Sequence, residues 1–194
     1  MLQTILSHPA IEISADTPRI YCACLSSHTN GILFGQWISA DQDPEDIREE
    51  IENMLSESPL ADTEEPCEKY AIHDYENFQG VQLNEYESLD YVSALAQALE
   101  QHGKAFSLYL ECFGSDDIET ALESFDNNYH GCFESAEDYA EDYYEQTGQL
   151  ETIEQAGLNR YYIDWKAIAH DWQCSGDLLF LEESHNEIHV FYNH

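Results

Sequence analysis

Carboxylates are the residues in this chain whose type and spacing could do chemistry. Glu137, Glu141 and Glu145 recur at i, i+4 and i+8, with Asp138 and Asp142 beside them. On a helix rising about 1.5 Å per residue, such side chains repeat about every 6 Å along one face. That is comparable to the distance between neighbouring phosphates on a nucleic-acid strand. Like charges at i,i+4 cost a few tenths of a kcal/mol per pair. A helix with no Lys or Arg of its own therefore accepts a small stability loss. Function explains that loss, and so does a packing partner elsewhere in the chain. Tyr139, Tyr143 and Tyr144 supply the anchoring side.

Other chemistries fit these acids less well. Asp126–Glu137 matches a twelve-residue calcium loop in part, with Asp126, Asn128, Gly131 and Glu137 at positions one, three, six and twelve. His130 stands where an oxygen ligand is needed, and a second loop to pair with it is absent. Asp41–Glu52 fits worse, with Asp46 where glycine belongs and a Pro-initiated helix across the site. The nine histidines offer no HExxH and no CxxC companion, which argues against zinc. His185 and His189, near a C-terminal turn, read as surface residues. Acid pairs are too abundant to single out a glycosidase-type dyad. Nothing resembles a P-loop, a dinucleotide-binding turn or a GxSxG elbow. The expectation is a binding protein with no catalytic set, cofactor or metal.

The charge balance narrows the partner. The 194 residues hold 40 Asp+Glu against 6 Lys+Arg, a formal net charge of -34. Six cations cannot neutralise phosphates beside forty acids, so nucleic acid is excluded as a ligand. Such charge often signals disorder, but 43 % hydrophobic and 12 % aromatic content argue for folding. Fourteen acids and no base lie between Lys104 and Arg160, and twelve acids meet only Arg48 from Asp41 to Glu68. A compact monomer of 22.3 kDa exposes roughly 9,400 Å², or about one net charge per 280 Å². B-DNA carries one charge per ~1.7 Å of axis, roughly one per 110 Å² on a cylinder of about 10 Å radius. Average charge falls short of DNA, so any DNA-like role requires the acids to crowd onto part of the surface.

Six cysteines, Cys22, Cys24, Cys67, Cys112, Cys132 and Cys174, form no CxxC pair. Met1–Ser14 lacks the basic region and apolar core of a signal peptide, and no stretch approaches the ~20 apolar residues of a membrane span. Reduced thiols in the cytoplasm are expected, with Cys22 and Cys24 as small core residues on one face of a strand.

The elements that must position these side chains read as follows. Residues 1–16 form an N-terminal extension. Arg19–Leu25 predicts a strand, Asn30–Gly31 a hairpin turn and Ile32–Ile38 its partner. Asp43 caps a helix with Pro44 at its first position; Ile47, Ile51, Met54 and Leu55 form its buried stripe, and Pro59 bounds it. Tyr70–Tyr75 predicts a third strand. Val92, Leu95 and Leu99 repeat at helical spacing, with Gly103 placed as the C′ residue. Ala105–Cys112 suits either strand or helix. Ser115 then opens a helix that turns Ile118, Ala121, Leu122 and Phe125 inward. Tyr129–Phe133 predicts a strand, Ser135 and Asp138 a capping pair, and Gly148 the end of the helix they open. A helix near Asn159–Gln173 should bury Tyr162, Trp165, Ala169 and Trp172. Leu178–Leu181 and Ile188–Tyr192 close the chain as a hairpin. The fold class is α+β: an α+β N-terminal domain (17–87), a helical middle domain (88–126) and an α+β C-terminal domain (127–194).

Three stretches carry a resemblance: TPRIYCACLSSHTNGILFGQWISADQDPEDIREEIENML at Thr17–Leu55, YAIHDYENFQG at Tyr70–Gly80, and YIDWKAIAHDW…SGDLLF across Tyr162–Phe180. The first is the most specific. Together they resemble the ArdA antirestriction proteins over nearly everything after residue 16; the N-terminal extension is the departure. The resemblance implies a protein of mobile genetic elements that mimics B-form DNA. Such a protein occupies the DNA groove of type I restriction-modification enzymes, on the methyltransferase core and specificity subunit, inhibiting restriction and in some cases modification. It implies three small domains in an elongated chain, a homodimer formed through the C-terminal domain, and a helix at Ala105–Cys112. The acidic antirestriction region it implies falls on Glu119, Glu123, Asp126, Glu134, Glu137, Asp138, Glu141, Asp142 and Glu145. Two other readings stand beside it: an acidic module that sequesters or chaperones basic DNA-binding proteins, and, behind that, a calcium-binding protein.

Overall fold

The computed structural model describes residues 16–61, 67–114 and 117–193. The N-terminal extension lies outside them up to residue 15. The chain divides between Gly103 and Lys104 into two compact units, and its class is α+β.

The N-terminal unit is built on a three-stranded antiparallel sheet of β1 (Arg19–Cys24), β2 (Gly35–Ser39) and β3 (Tyr70–Glu76), in the order β2-β1-β3. Central β1 carries Ile20, Cys22 and Cys24, all fully buried, as its alternation predicts. Burial pushes the Cys22 thiol up to about 12, with help from Glu50. β2 approaches β1 so closely that a Cβ on Gly35 would sit 2.5 Å from the carbonyl oxygen of Cys22. These two strands pair as the expected antiparallel hairpin and Asn30–Gly31 is a turn, but a short helix, α1 (Leu25–Thr29), precedes it and lengthens the connection. The Ser27 hydroxyl is buried against that of Ser58 at 2.8 Å, drawing the segment inward. Asn30 becomes its C-cap, with Nδ2 donating to the Ser26 carbonyl, and the second strand starts three residues later than expected.

Helix α2 (Pro44–Ser56) forms as expected. The Asp43 side chain accepts from the Glu45 amide, Pro44 occupies the first turn, and Ile47, Ile51, Met54 and Leu55 are buried. Helix α3 (Leu89–Phe113) buries Val92, Leu95 and Leu99 before Gly103 interrupts it at φ 58° and ψ −141°. Only glycine adopts such a backbone readily. The helix resumes through Ala105–Cys112, which settles that ambiguous stretch as helix.

In the C-terminal unit, α4 (Ile118–Asn128) is capped by Asp117, whose side chain accepts from the Glu119 amide. The expected cap, Ser115, lies outside the described residues. β4 (Tyr129–Phe133), β5 (Leu178–Ser184) and β6 (Glu187–Tyr192) form the second antiparallel sheet, in the order β4-β6-β5. Phe125 is the hub of the aromatic core, with ring centroids 5.5 Å from Phe106, 4.8 Å from Tyr129 and 5.7 Å from Phe191. Between β4 and β5 run α5 (Ala136–Gln146), α6 (Gln149–Gln155) and α7 (Trp165–Ser175). The helix expected over Asn159–Gln173 is split: Arg160–Tyr162 forms one 3-10 turn, and Asp164 caps α7 through the Ala167 amide. Ala169 is buried and Trp165 and Trp172 are half-buried, but Tyr162 is 81 % exposed and is not a core residue.

Candidate functional site: the acidic helices of the C-terminal unit

Each acidic helix separates its charge from its packing residues by simple periodicity. At about 100° per residue, Ile118, Ala121, Leu122 and Phe125 occupy one side of α4. Glu119, Glu123 and Asp126 fall together within about 60° on another side, and all three are exposed. At the start of α4 the Thr120 hydroxyl holds the Asp117 carboxyl below its usual value, aided by the Glu119 and Thr120 amides. Glu134 is exposed beyond β4.

On α5 all five acids share one sector. Glu137, Glu141, Glu145, Asp138 and Asp142 span about 140° of the helix circumference, and Tyr139, Tyr143, Ala140 and Tyr144 fill the complementary arc. Tyr139 is 3 % exposed and Ala140 fully buried. The helix starts at Ser135, whose hydroxyl accepts from the Asp138 amide while donating to the Asp138 carboxylate. Tyr139 anchors the inner face, with ring centroids 5.0 Å from Phe133 and 5.9 Å from Trp172. Burial moves its phenol well above the usual value, with Tyr192, Tyr143 and Asp142 adding to the effect.

The run of like charge on α5 is relieved from outside the helix. Arg160 places its guanidinium 3.3 Å from Glu141 and 3.7 Å from Glu145, and its Nε donates to Glu154 at 3.1 Å. Three carboxylates meet one cation, leaving a net charge of about −2 in that cluster. The packing partner that would ease the repulsion therefore exists, nineteen residues beyond Glu141. Glu137, Asp138 and Asp142 have no part in that cluster.

Two sequence readings are corrected nearby. His189 is 5 % exposed rather than a surface residue. Its Nδ1 meets the Tyr129 hydroxyl at 2.8 Å and its Nε2 meets Glu183 at 2.7 Å. Burial, then Cys132 and Glu183, raise the Tyr129 phenol to about 12. This trio, with His189 buried, Tyr129 half-buried and Glu183 exposed, joins β4, β5 and β6, and its only trace in the sequence is a histidine in an apolar strand. The calcium-loop match also fails on geometry: Asp126 and Asn128 belong to α4, Gly131 to β4 and Glu137 to α5, so a strand occupies the place of the ligand loop. Among the described residues no group of three His, Cys, Asp or Glu could hold a metal ion. All six cysteines are free thiols, and among the described residues no helix is long and apolar enough to cross a membrane.

The arrangement offers fixed negative charge at short, regular intervals on a rigid aromatic base. Positions 137 to 145 span about 12 Å of helix axis. Five acids, offset by one shared arginine, leave about one net charge per 3 Å, against about one per 3.4 Å along a single strand of B-DNA. A search among curated proteins finds no match to the chain. A family model described as antirestriction protein (ArdA) matches residues 20–187.

Proposed function

From the premise that the chain belongs to the ArdA antirestriction family, we propose that it inhibits type I restriction-modification enzymes by standing in for B-form DNA. The observation that carries this reading is the charge of α5, which locally approaches that of one DNA strand although the protein's average does not. Occupation is competitive. The DNA groove of such an enzyme presents Lys and Arg to phosphates, and carboxylates at similar spacing release the same counterions while offering no base edge to read. The partner is the methyltransferase core with its specificity subunit, and the inhibitor performs no catalysis. The partner-binding face comprises Glu119, Glu123, Asp126, Glu134, Glu137, Asp138, Glu141, Asp142 and Glu145. It acts in the cytoplasm, as a component of mobile elements.

The same proposal takes three small domains, at 17–87, 88–126 and 127–194, with two copies joined through the last. Exposed apolar side chains between α6 and α7 support that joining: Leu158, Tyr161 and Tyr162 are 48 %, 89 % and 81 % exposed, and apolar groups clustered on a surface mark interaction sites.

The test is competition. A type I methyltransferase is incubated with labelled duplex DNA and increasing inhibitor at 50 to 300 mM salt. The inhibitor should displace DNA stoichiometrically, with an inhibition constant that weakens steeply as salt rises. Inhibition without displacement of DNA, or indifference to ionic strength, would exclude mimicry. Tight binding to basic nucleoid proteins with none to the methyltransferase would favour sequestration instead.

A further inference from the structure

On the side of α5 away from its acids, Tyr139, Tyr143, Tyr144, Trp172 and Tyr192 line a cavity of about 340 Å³ that also carries Asp177. Trp172 is central: its ring lies 5.3 Å from that of Tyr143 at 75°, and 6.1 Å from that of Tyr144 at 25°. Rings at such mixed angles turn some faces and some edges to the cavity, and aromatic faces carry negative potential. A cation within about 6 Å of a ring centroid is attracted to that face, tryptophan giving the strongest pull. Asp177 adds a full negative charge. It accepts the Ser175 hydroxyl at 2.6 Å, and a carboxylate has lone pairs beyond that one bond. Among the described residues lining the cavity, none is Lys, Arg or His.

The N-terminal unit already contains a filled version of this chemistry. There the guanidinium carbon of Arg19 lies 4.9 Å over the Trp37 ring, while its Nε donates to Glu76 at 2.9 Å. One arginine satisfies a tryptophan face and a carboxylate together. Trp172 and Asp177 offer the same two partners, with four tyrosines around them.

We propose that this cavity is a receptor for one arginine side chain of the basic partner. The inference rests on the reading of the protein as an inhibitor of a DNA-binding enzyme and deepens it. Arginine is favoured over lysine because its planar, weakly hydrated guanidinium stacks on aromatic rings and forks onto a carboxylate at once. A neutral apolar side chain would cover the rings but desolvate Asp177 without compensation. DNA has no counterpart of this site. It is therefore where the inhibitor gains affinity that the copied nucleic acid lacks, and the attachment point lies outside the phosphate-like face of α5.

The experiment uses the full chain with labelled tryptophan, following the indole N–H resonance of Trp172, assigned by its loss in Trp172→Phe. The probes are acetyl-arginine amide and its uncharged isostere acetyl-citrulline amide. Arginine amide should shift the resonance saturably, citrulline amide should not, and Asp177→Asn should weaken arginine binding at least threefold with Tyr144→Leu weakening it similarly. Equal responses to both probes, or no saturable response to arginine, would overturn the proposal. The titration contains no enzyme, so its failure is separate from a failure of the DNA competition. In the competition assay Asp177→Asn should weaken inhibition severalfold with the salt dependence little changed, whereas a loss of DNA mimicry would flatten that dependence.

Discussion

Arg160 and Glu141 meet at 3.3 Å across nineteen residues of chain, and this contact decides how so acidic a helix is held. Glu141 is flanked by Glu137 and Glu145 one turn to either side, each pair repelling. The guanidinium lies within reach of Glu141, Glu145 and Glu154 together. Their carboxylates raise the Arg160 pKa further, the hydrogen bond to Glu154 first. The cluster keeps its acids ordered while staying net negative.

Removing that cation separates a structural role from a binding role. Arg160→Gln should lower the melting midpoint, and the loss should be larger in 20 mM than in 500 mM salt, because screening shortens from about 20 Å to a few Å over that range. The unaltered protein, at net charge -34, should itself melt higher at moderate salt. Inhibition by the still-folded variant should be undiminished, since its face has become more negative. A folded variant that no longer inhibits would place Arg160 against the partner and count against carboxylates alone carrying the interaction.

Much of this structure was legible wherever the signal was local. The Asp43 cap followed by Pro44, the stripe Ile47–Ile51–Met54–Leu55 and the Ser135–Asp138 pair each act within a few residues, and α2 and α5 formed where expected. Misreadings arose where a distant residue decided. Asn30–Gly31 has the composition of a tight hairpin turn and does turn, yet the residues before it wind into α1, where Ser27 bonds Ser58, 31 residues away, so a longer connection joins β1 to β2. His189 looked like a turn histidine because its partner Tyr129 lies 60 positions earlier. Arg160 read as the end of a base-free run, and only folding returns it to α5. The acidic sector of α5 follows from periodicity alone; the aromatic cavity behind it required the α7 and β5–β6 segments to come together.

Charge spread over a face should fail gradually. Exposed ion pairs contribute modestly, so single changes such as Glu137→Gln or Asp142→Asn should weaken inhibition less than about fivefold. Neutralising Glu137, Asp138, Glu141, Asp142 and Glu145 together should weaken it by roughly tenfold to several hundredfold. The salt dependence of that variant should be shallower. Inhibition constants measured at several salt concentrations check this, with circular dichroism confirming the fold. If one substitution abolished inhibition with the fold intact, a localized contact would replace mimicry.

His130 gives the fold a specific pH dependence. Burial lowers its pKa from the usual 6.5, so the folded state disfavours the imidazolium. The sign follows from linkage: its contribution is complete above about pH 6.5 and is lost as pH falls toward the lowered folded value. His130 Nδ1 also meets the Tyr139 hydroxyl at 3.2 Å. His130→Gln keeps a polar partner for Tyr139 but cannot charge, and should lose less stability than the unaltered protein between pH 7.5 and 5. Comparing the two proteins cancels the titration of the many shared acids. Equal losses would mean that His130 is not penalised for charging.

Phe125 should be the most costly single truncation among these aromatic residues of the C-terminal unit. It is 1 % exposed, and besides Phe106, Tyr129 and Phe191 its ring meets Tyr109 at 5.6 Å. Removing a buried phenyl loses transfer free energy and leaves a cavity that rigid neighbours cannot close, so Phe125→Ala should destabilise by about 3–5 kcal/mol. That is a large share of the roughly 5–15 kcal/mol that holds a domain together. Ser135→Ala, which removes only the α5 cap, should cost about 1 kcal/mol. Urea unfolding followed by tyrosine and tryptophan fluorescence gives both values. Similar losses for the two would show that the core around Phe125 relaxes on truncation, and that capping governs the stability of this unit as much as packing does.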